Sequence, residues 1–279
     1  MKAARRAVRD QVLKIVGVER RAGEAPPPSA EGLFPPGSIV RAVHADFTSM
    51  MIGGVGSLLL QMLHPSALAG VWDHSDFRKD MAGRLRRTAR FVSVTTYGAK
   101  DDALAAIARV RAIHEKVAGA LPDGTPYAAS DPELLRWVHV AETRCFLEAH
   151  LRYRAPRTPA ADQDRYFAEM ASVARLLGSA EPPATRADAE AYLEAMRPRL
   201  KWDARTRRVA SHLLSQPAVA PSFAPVDGFI FDAGCDLLPD WAAEMHGLGR
   251  SPRARRAVRA RAYGAGALLR WAMRVDATA

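Results

Sequence analysis

A histidine occupies one position of an apolar stripe in the segment IARVRAIHEKVAG, residues 107–119. Read as a helix, the segment places Ile107, Val110, His114 and Val117 on one face. Ala103 or Leu104 continues this face toward the start of the helix. Gly119 is predicted to end the helix. The pattern alone leaves two interpretations of His114 open. It is either a core imidazole bonded to a backbone carbonyl, or a neutral imidazole that ligates haem iron in an apolar pocket.

A second group of chemically useful side chains lies in GRLRRTARF, residues 83–91. Arg84, Arg87 and Thr88 fall on one helical face, and Phe91 and Thr95 continue it. Two arginines above an apolar seam are costly to bury without a counter-ion. They are therefore either surface arginines beside an acidic helix or partners of a buried anion, and haem propionates are anions of that kind.

Helical patterns extend over most of the chain. Helix starts are predicted at Asp131-Pro132, Thr158-Pro159, Thr185 and Ser251-Pro252, and one helix is expected to end at Gly178. RFVSVTTYG, residues 90–98, has the β-branched content of a strand but continues a helical pattern, so we assign it to the end of a helix. The predicted class is all-α, a single domain of about eight to eleven helices; the family resemblance given below implies that these helices enclose a haem pocket. Residues 1–38 are predicted to form a basic helix and a proline-rich linker, and residues 39–279 the helical domain.

The composition, and the motifs that the sequence lacks, exclude several classes of protein. Cys145 and Cys235 lack the spacing of a disulfide scaffold, a zinc site or a c-type haem attachment, and a reducing cytoplasm is expected. The net charge of +10 comes mostly from dispersed arginines, with no nucleic-acid-binding motif, so no specific nucleic acid partner is expected. The longest apolar run, residues 50–63, falls short of the roughly 20 residues that cross a bilayer. A di-iron ExxH motif, a GxSxG elbow and a GxGxxG loop are all missing.

Four segments carry a resemblance to a known family. They are LLLQMLHPSALAGVWDHSDFRKDMAGRLRRT, TTYGAKDDALAAIARVRAIHEKVAG, PDGTPYAASDPELLRWVHVAET and FAEMASVARLLG. In this order they resemble the catalytic domain shared by the MpaB-type oxygenases and the rubber oxygenases called latex clearing proteins, from about residue 36 to about residue 245. The resemblance implies an all-helical protein that binds haem b without a covalent link, and some members of the family cleave isoprenoid double bonds with dioxygen.

The resemblance also implies roles for particular residues. His114 corresponds to the proximal haem ligand, and Arg84, Arg87 and Thr88 correspond to an arginine–x–x–lysine–threonine motif. This chain has Arg87 where the rubber oxygenases have lysine. Arginine stays charged and offers no lone pair to iron, so the lysine-capped closed state of those enzymes is not expected here.

Two further histidines lie in family-like motifs. His64 is expected near the haem. His74 is either a distal hydrogen-bond donor to bound dioxygen or a neighbour of Ser75 and Asp76 that cap the next helix.

The sequence thus predicts a haem b-dependent oxygenase. His114 would be the iron ligand, and Arg84, Arg87, Thr88 and His74 the catalytic side chains. The expected partners are a small apolar substrate, dioxygen and an electron donor. The alternative is a haem- or lipid-binding helical protein without turnover. A third interpretation is weak association of the basic terminal helices with a membrane surface or nucleic acid.

Overall fold

The structure is a computed structural model that describes residues 29–216 and 224–273. Within these ranges it contains twelve α-helices, one 3-10 turn and a single two-stranded hairpin. The predicted all-α class is confirmed, and the helix count slightly exceeds expectation because two helices have only six residues. The predicted N-terminal basic helix and most of the proline-rich linker lie outside the described residues. The domain boundary at residue 38 therefore stays a prediction.

The elements follow one another along the chain with short connections. The helices before the hairpin are α1 Ile39–His44, α2 Phe47–Gln61, α3 Pro65–His74, α4 Met81–Tyr97 and α5 Lys100–His114. The hairpin pairs β1 Ala118–Ala120 with β2 Pro126–Ala128 in antiparallel register. The remaining helices are α6 Pro132–Tyr153, α7 Ala160–Leu177, α8 Arg186–Met196, α9 Ala204–Leu214, α10 Ala224–Asp236, α11 Asp240–Met245 and α12 Pro252–Met273.

Helix α2 is the central element of the core and packs against α6 and α10. Its glycines allow the close approach. A Cβ on Gly53 would meet the Phe146 Cδ1 atom of α6 at 2.7 Å, and a Cβ on Gly56 would meet the Gly234 carbonyl of α10 at 3.1 Å. α2 and α6 are antiparallel: the Trp137 indole, near the start of α6, donates to the carbonyl of Gln61 at the end of α2, while Phe146, later in α6, meets Gly53, earlier in α2. This register determines which side chains of the two helices face each other.

Most predicted helix ends agree with the structure. Asp131 caps α6 by accepting from the Glu133 amide, and Thr185 caps α8 by accepting from the Asp188 amide. Gly178 ends α7 with a positive φ of 95°. The β-branched segment after Arg90 is helical to Tyr97, as predicted.

The predicted end of the His114 helix is wrong. α5 stops at His114 itself, and Gly119 lies in β1 opposite Tyr127. The three-residue strands were not predicted, because alanine and glycine carry little strand signal. Side-chain contacts hold the hairpin in place: the Tyr127 hydroxyl donates to Asp73 at 2.7 Å, and a Cβ on Gly119 would meet the Tyr127 hydroxyl at 2.9 Å.

Arginines join the last helix to the core. The buried Asp236 carboxylate accepts from Arg152 at 2.9 Å and from Arg259 of α12 at 2.7 Å. Part of the basic excess is thus used in internal ion pairs. No single helix in the described ranges is long and apolar enough to span a membrane. α2 and α3 together meet the criteria of length and composition, but they meet at a bend of 104°.

Candidate functional site

A cavity of about 480 Å³ lies between α2, α3, α4, α5, α6 and α9. Its volume is typical of sites for small molecules and cofactors. Most lining side chains are apolar: Leu58, Met62, Ala67, Leu68, Val71, Met81, Ile113, Val117, Leu134, Leu135, Val138, Val209 and Leu213. The polar side chains in the lining are Gln61, Ser66, His74, Ser75, Asp76, Arg84, Arg87, Thr88 and His114. Five of the six predicted site residues therefore lie on one cavity.

His114 is half-buried at the last position of α5. Its Nδ1 atom is sealed from solvent and has no hydrogen-bond partner. Burial lowers the pKa of the imidazole below its ordinary value, so the ring is neutral at neutral pH. Buried polar atoms nearly always have a partner, and among the described histidines the Nδ1 atoms of His114, His150 and His246 are exceptions. Of these three, His114 lines the cavity.

Arg84 and Arg87 line the cavity from successive turns of α4. Arg84 is half-buried and donates to the Ser75 hydroxyl at 3.3 Å, and no carboxylate of the described residues lies within salt-bridge distance of it. Burial, with a smaller contribution from Arg87, lowers the pKa of Arg84 to about 10. Arg87 is exposed and lies 3.4 Å from Asp80, while the Thr88 hydroxyl donates to the Arg84 carbonyl at 3.3 Å. Arg84 is therefore the cation best placed for an anion in the cavity.

The N-terminus of α4 fixes where these arginines lie. Asp80 caps the helix by accepting from the Gly83 amide at 2.7 Å, and it also pairs with Arg87. Gly83 is required here, since a Cβ would overlap the Asp80 carboxylate. Asp80, and not Ser75 or Asp76, is the cap of this helix.

His74 ends α3 and is exposed at the cavity. Its Nε2 atom donates to the Ala118 carbonyl of β1 at 3.1 Å. In the neutral imidazole, Nδ1 then carries the lone pair and accepts hydrogen bonds. Donation from Nδ1 to a ligand, as a distal donor requires, would need the doubly protonated ring.

His64 is not among the lining residues. It caps α3, with its Nδ1 accepting from the Ser66 amide at 3.2 Å, and its ring packs beside Trp137. Burial, with the charge of Arg199, lowers the pKa of His64 to about 4. Capping accounts for this histidine, and the structure does not bring it together with the other predicted site residues.

A second concavity, of about 560 Å³, is more open and lies away from all of the predicted residues. It is lined by Glu194, Arg197, Pro198, Trp241, Glu244 and Met245. The Arg197 guanidinium lies over the Trp241 ring at 5.6 Å and pairs with Glu194 at 2.8 Å. Charged side chains that line this second concavity are thus already paired with each other. The cavity around His114 is therefore the better candidate site.

The donor set does not suit a metal ion held by side chains alone. In residues 29–216 and 224–273, no group of three or more His, Cys, Asp or Glu side chains could hold a metal ion. His114 is the lining histidine without a hydrogen bond, and one such imidazole on a mainly apolar cavity suits a metal that brings its own equatorial ligands, as a porphyrin does.

The sequence interpretation missed Glu142, on α6 one turn beyond the cavity-lining Val138. Burial alone raises the pKa of this carboxyl to about 7. The signal that could have found it is a lone acid in WVHVAETRCFL, where the residues four positions before and after it, Val138 and Phe146, are apolar.

The fold and the cavity define a class of helical proteins with two histidines and an arginine pair on a mainly apolar pocket. A solved structure described as latex clearing protein in the closed state shares the fold. Its TM-score is 0.58 at 16% sequence identity, with 98% of this chain and 82% of that chain covered. A comparison with curated protein sequences gives no match.

The family model described as "ER-bound oxygenase mpaB/B'/Rubber oxygenase, catalytic domain" matches residues 41–271. The chain therefore belongs to this oxygenase family. The match extends into α12 as far as residue 271, beyond the residues that carried the motif resemblance.

Proposed function

We propose that this protein is a haem b-dependent oxygenase that acts on a small apolar substrate, with His114 as the proximal iron ligand. The observation that carries the proposal is the His114 imidazole, which lines the cavity, is neutral and has a buried Nδ1 without a partner. Neutral imidazole is the form that ligates iron. Membership of the oxygenase family supports the reaction class.

The cavity residues fit such a group in two further respects. The lining is mainly apolar, as the faces of a porphyrin require, and its volume lies in the range of cofactor sites. Arg84 reaches the cavity without a carboxylate partner among the described side chains. A guanidinium in that situation suits a propionate, because it donates in a planar fork that matches a carboxylate.

When bound, haem b would supply the activation of dioxygen. The chain's own residues would bind, orient and exclude water. Arg84 and Arg87 would hold the carboxylates, and Thr88 would contact the edge of the group. His74 would present its Nδ1 to the cavity while its Nε2 is held by Ala118. The apolar lining would position an alkene, such as a short isoprenoid, and keep water from it.

The first experiment is a visible spectrum and a pyridine haemochrome assay of the purified protein, of His114→Gly and of the control His212→Gly. His212 packs against Phe77 and is not among the cavity-lining residues. We expect near-stoichiometric haem b in the wild type and in the control, and loss of haem or a shifted Soret band in His114→Gly. Free imidazole should restore the band in His114→Gly, which would show that the variant is folded.

Two outcomes would contradict the proposal at different levels. A wild-type protein that stays colourless after haem is supplied refutes the cofactor. An unchanged Soret band in His114→Gly refutes the ligand assignment and leaves the cofactor standing. Arg84→Gln is expected to lower haem retention while keeping the position of the band, because it removes a propionate partner and leaves the iron ligand intact.

The apolar cavity would equally serve a non-catalytic haem or lipid carrier, the second candidate. Oxygen uptake that depends on an added isoprenoid alkene and a reductant, with formation of a new product, separates the oxygenase from the carrier. Saturable alkene binding without oxygen uptake would favour the carrier.

A further inference from the structure

Helix α12 leaves one face uncovered by the rest of the described protein. Five large apolar side chains are exposed in the described ranges, and three of them form an apolar patch on this helix: Tyr263 at 56%, Leu268 at 57% and Trp271 at 38%. At 3.6 residues per turn they lie on one side of the helix, with small exposed residues between them. The opposite side is buried, and a Cβ on Gly266 there would meet Thr48 of α2 at 3.3 Å. α12 is thus packed on one side and carries the apolar patch on the other.

The arginines of α12 fall into two groups. The helix has six arginines and no Asp or Glu. Three of the arginines pair with carboxylates elsewhere in the protein: Arg255 with Asp240 at 2.7 Å, Arg259 with Asp236 at 2.7 Å and Arg270 with Asp46 at 3.3 Å. The other three, the outward arginines, are exposed on the same side as the apolar patch: Arg253, Arg256 and Arg261. The charge of the helix is thus neutralised on the side that faces the protein.

The outward arginines have few counter-ions. No carboxylate of the described residues lies within ion-pair distance of Arg253 or Arg256, and Arg261 lies 3.8 Å from Asp232. Asp232 is already paired with Arg250 at 2.6 Å. Arg253 and Arg256 also lie in the first turns of the helix, where the helix dipole favours negative charge. An anionic surface outside the protein would compensate both unfavourable features.

An apolar patch flanked by arginines fits the surface of an anionic membrane. Helices that lie in the headgroup layer combine Trp, Phe or Leu on one part of their surface with Lys or Arg on another. Trp and Tyr favour this layer because their rings are apolar and carry one polar group. α12 supplies the apolar patch for the first requirement and the outward arginines for the second.

Other occupants fit this face less well. From residue 253 to residue 271 it extends over about 27 Å and is about 10 Å wide, so a second copy would bury roughly 300 Å² per protomer, against about 800 Å² in a stable interface. Two copies would also bring their outward arginines together without an acid. The N-terminal segment, residues 1–23, contains seven Lys and Arg and two acids, so its charge has the same sign as the face.

We propose that α12 binds the surface of anionic lipid bilayers through this face. The outward arginines lie at the headgroups, and Leu268 and Trp271 insert between the headgroups and the acyl chains. This binding goes beyond the proposed function and does not depend on haem. The charge of the terminal helices indicates that an anion is attracted, and the exposed apolar patch beside uncompensated arginines selects a lipid surface.

The first test is co-sedimentation of the purified protein with vesicles of phosphatidylcholine alone and with vesicles that contain about one third phosphatidylserine. Each arginine near an anionic surface strengthens binding about fivefold. Arg253→Gln combined with Arg256→Gln should therefore weaken binding to the anionic vesicles by roughly thirtyfold. The matched control, Arg207→Gln combined with Arg208→Gln, removes two exposed arginines of α9 and should change binding by under about threefold.

The second test measures insertion of the apolar patch. Brominated phosphatidylcholine in the anionic vesicles should quench the tryptophan fluorescence of the wild type. Trp271→Phe should still bind but lose most of this quenching, since the other four tryptophans lie outside α12. Leu268→Ser should weaken binding to the vesicles, whereas Leu176→Ser, which changes an exposed leucine of α7, should leave it unchanged.

Several results would contradict the inference. A wild type that does not sediment with the anionic vesicles, or that binds phosphatidylcholine alone equally well, would overturn it. Equal losses of binding in the two double-arginine variants would indicate attraction by the net charge as a whole and not by this face. Dimerisation that Leu268→Ser abolishes would assign the face to a second copy, and binding of duplex DNA that matches vesicle binding and is insensitive to Leu268→Ser would assign it to nucleic acid. Either of these two results would overturn the choice of a lipid surface.

Discussion

Replacing Glu142 by glutamine is expected to stabilise the protein, by an amount that grows with pH. Burial raises the pKa of Glu142 from the ordinary 4.5 to about 7. Each pKa unit corresponds to 1.36 kcal/mol, so ionising Glu142 costs about 3 kcal/mol more in the folded chain than in the unfolded chain. Glu142→Gln keeps the size of the side chain and removes its titration.

The sign follows from the order of the two pKa values. Below the unfolded value the carboxyl is protonated in both states and carries no penalty. As pH rises through the folded value, the unfolded chain releases the proton more readily, and the wild type loses stability. The advantage of Glu142→Gln should therefore be about 1 kcal/mol near pH 5 and about 3 kcal/mol near pH 8.

The neighbouring groups do not titrate in this interval. Burial raises the pKa of Cys145 to about 11 and that of Tyr166 well above its ordinary value, while burial, with a smaller effect of His150, lowers the pKa of His44 to about 3. All three are neutral between about pH 5 and pH 8, so the difference belongs to Glu142.

The assay is urea unfolding followed by circular dichroism between about pH 5 and pH 8, with Glu133→Gln as the exposed control. The control should change the free energy of unfolding by under about 1 kcal/mol at every pH, because exposed carboxylates contribute little. A pH-independent difference between wild type and Glu142→Gln would refute the reasoning, and so would a wild type more stable than Glu142→Gln near pH 8.

Three other predictions concern stability. His44 is buried between Thr96 and Tyr166, and its pKa is about 3 in the folded chain and 6.5 in the unfolded chain. Because the unfolded chain takes up the proton first as the pH falls, the free energy of unfolding should decrease by up to about 5 kcal/mol between pH 6.5 and pH 3. Urea unfolding along an acid series that shows no such decline would contradict this. Gly83→Ala should lower the free energy of unfolding by about 1 kcal/mol, because the new Cβ displaces the Asp80 cap. The control Gly264→Ala, whose Cβ meets open space on α12, should raise the free energy of unfolding by up to about 1 kcal/mol, because alanine favours the helix over glycine. Gly178→Ala should cost about 1 kcal/mol through its positive φ, and an unchanged thermal midpoint would be against that account.

Local signals in the sequence predicted the secondary structure well. Helix caps such as Asp131 and Thr185 act within one turn, so residue order alone identifies them. The β-branched segment ending at Tyr97 is helical because the amphipathic pattern of α4 outweighs its strand propensity. The end of α5 and the hairpin were missed because short alanine- and glycine-rich strands depend on packing against Tyr127.

Within the candidate site, the sequence identified side chains by type and helical face. His114, Arg84, Arg87 and Thr88 were selected by spacing and by resemblance, and all four line one cavity. Their haem-binding and catalytic roles stay predictions, as do the electron donor, the reducing cytoplasm and any association with a membrane surface.

The sequence by itself determined the helical class, most helix ends and the family, because these depend on periodicity, capping and motif order. Only the tertiary structure decided which polar groups are left without partners, because that depends on atoms brought together from distant segments. It separated His64, which caps a helix, from His114, which lines the cavity and has an Nδ1 without a partner. It also revealed Glu142, whose burial depends on helices far from it in the chain.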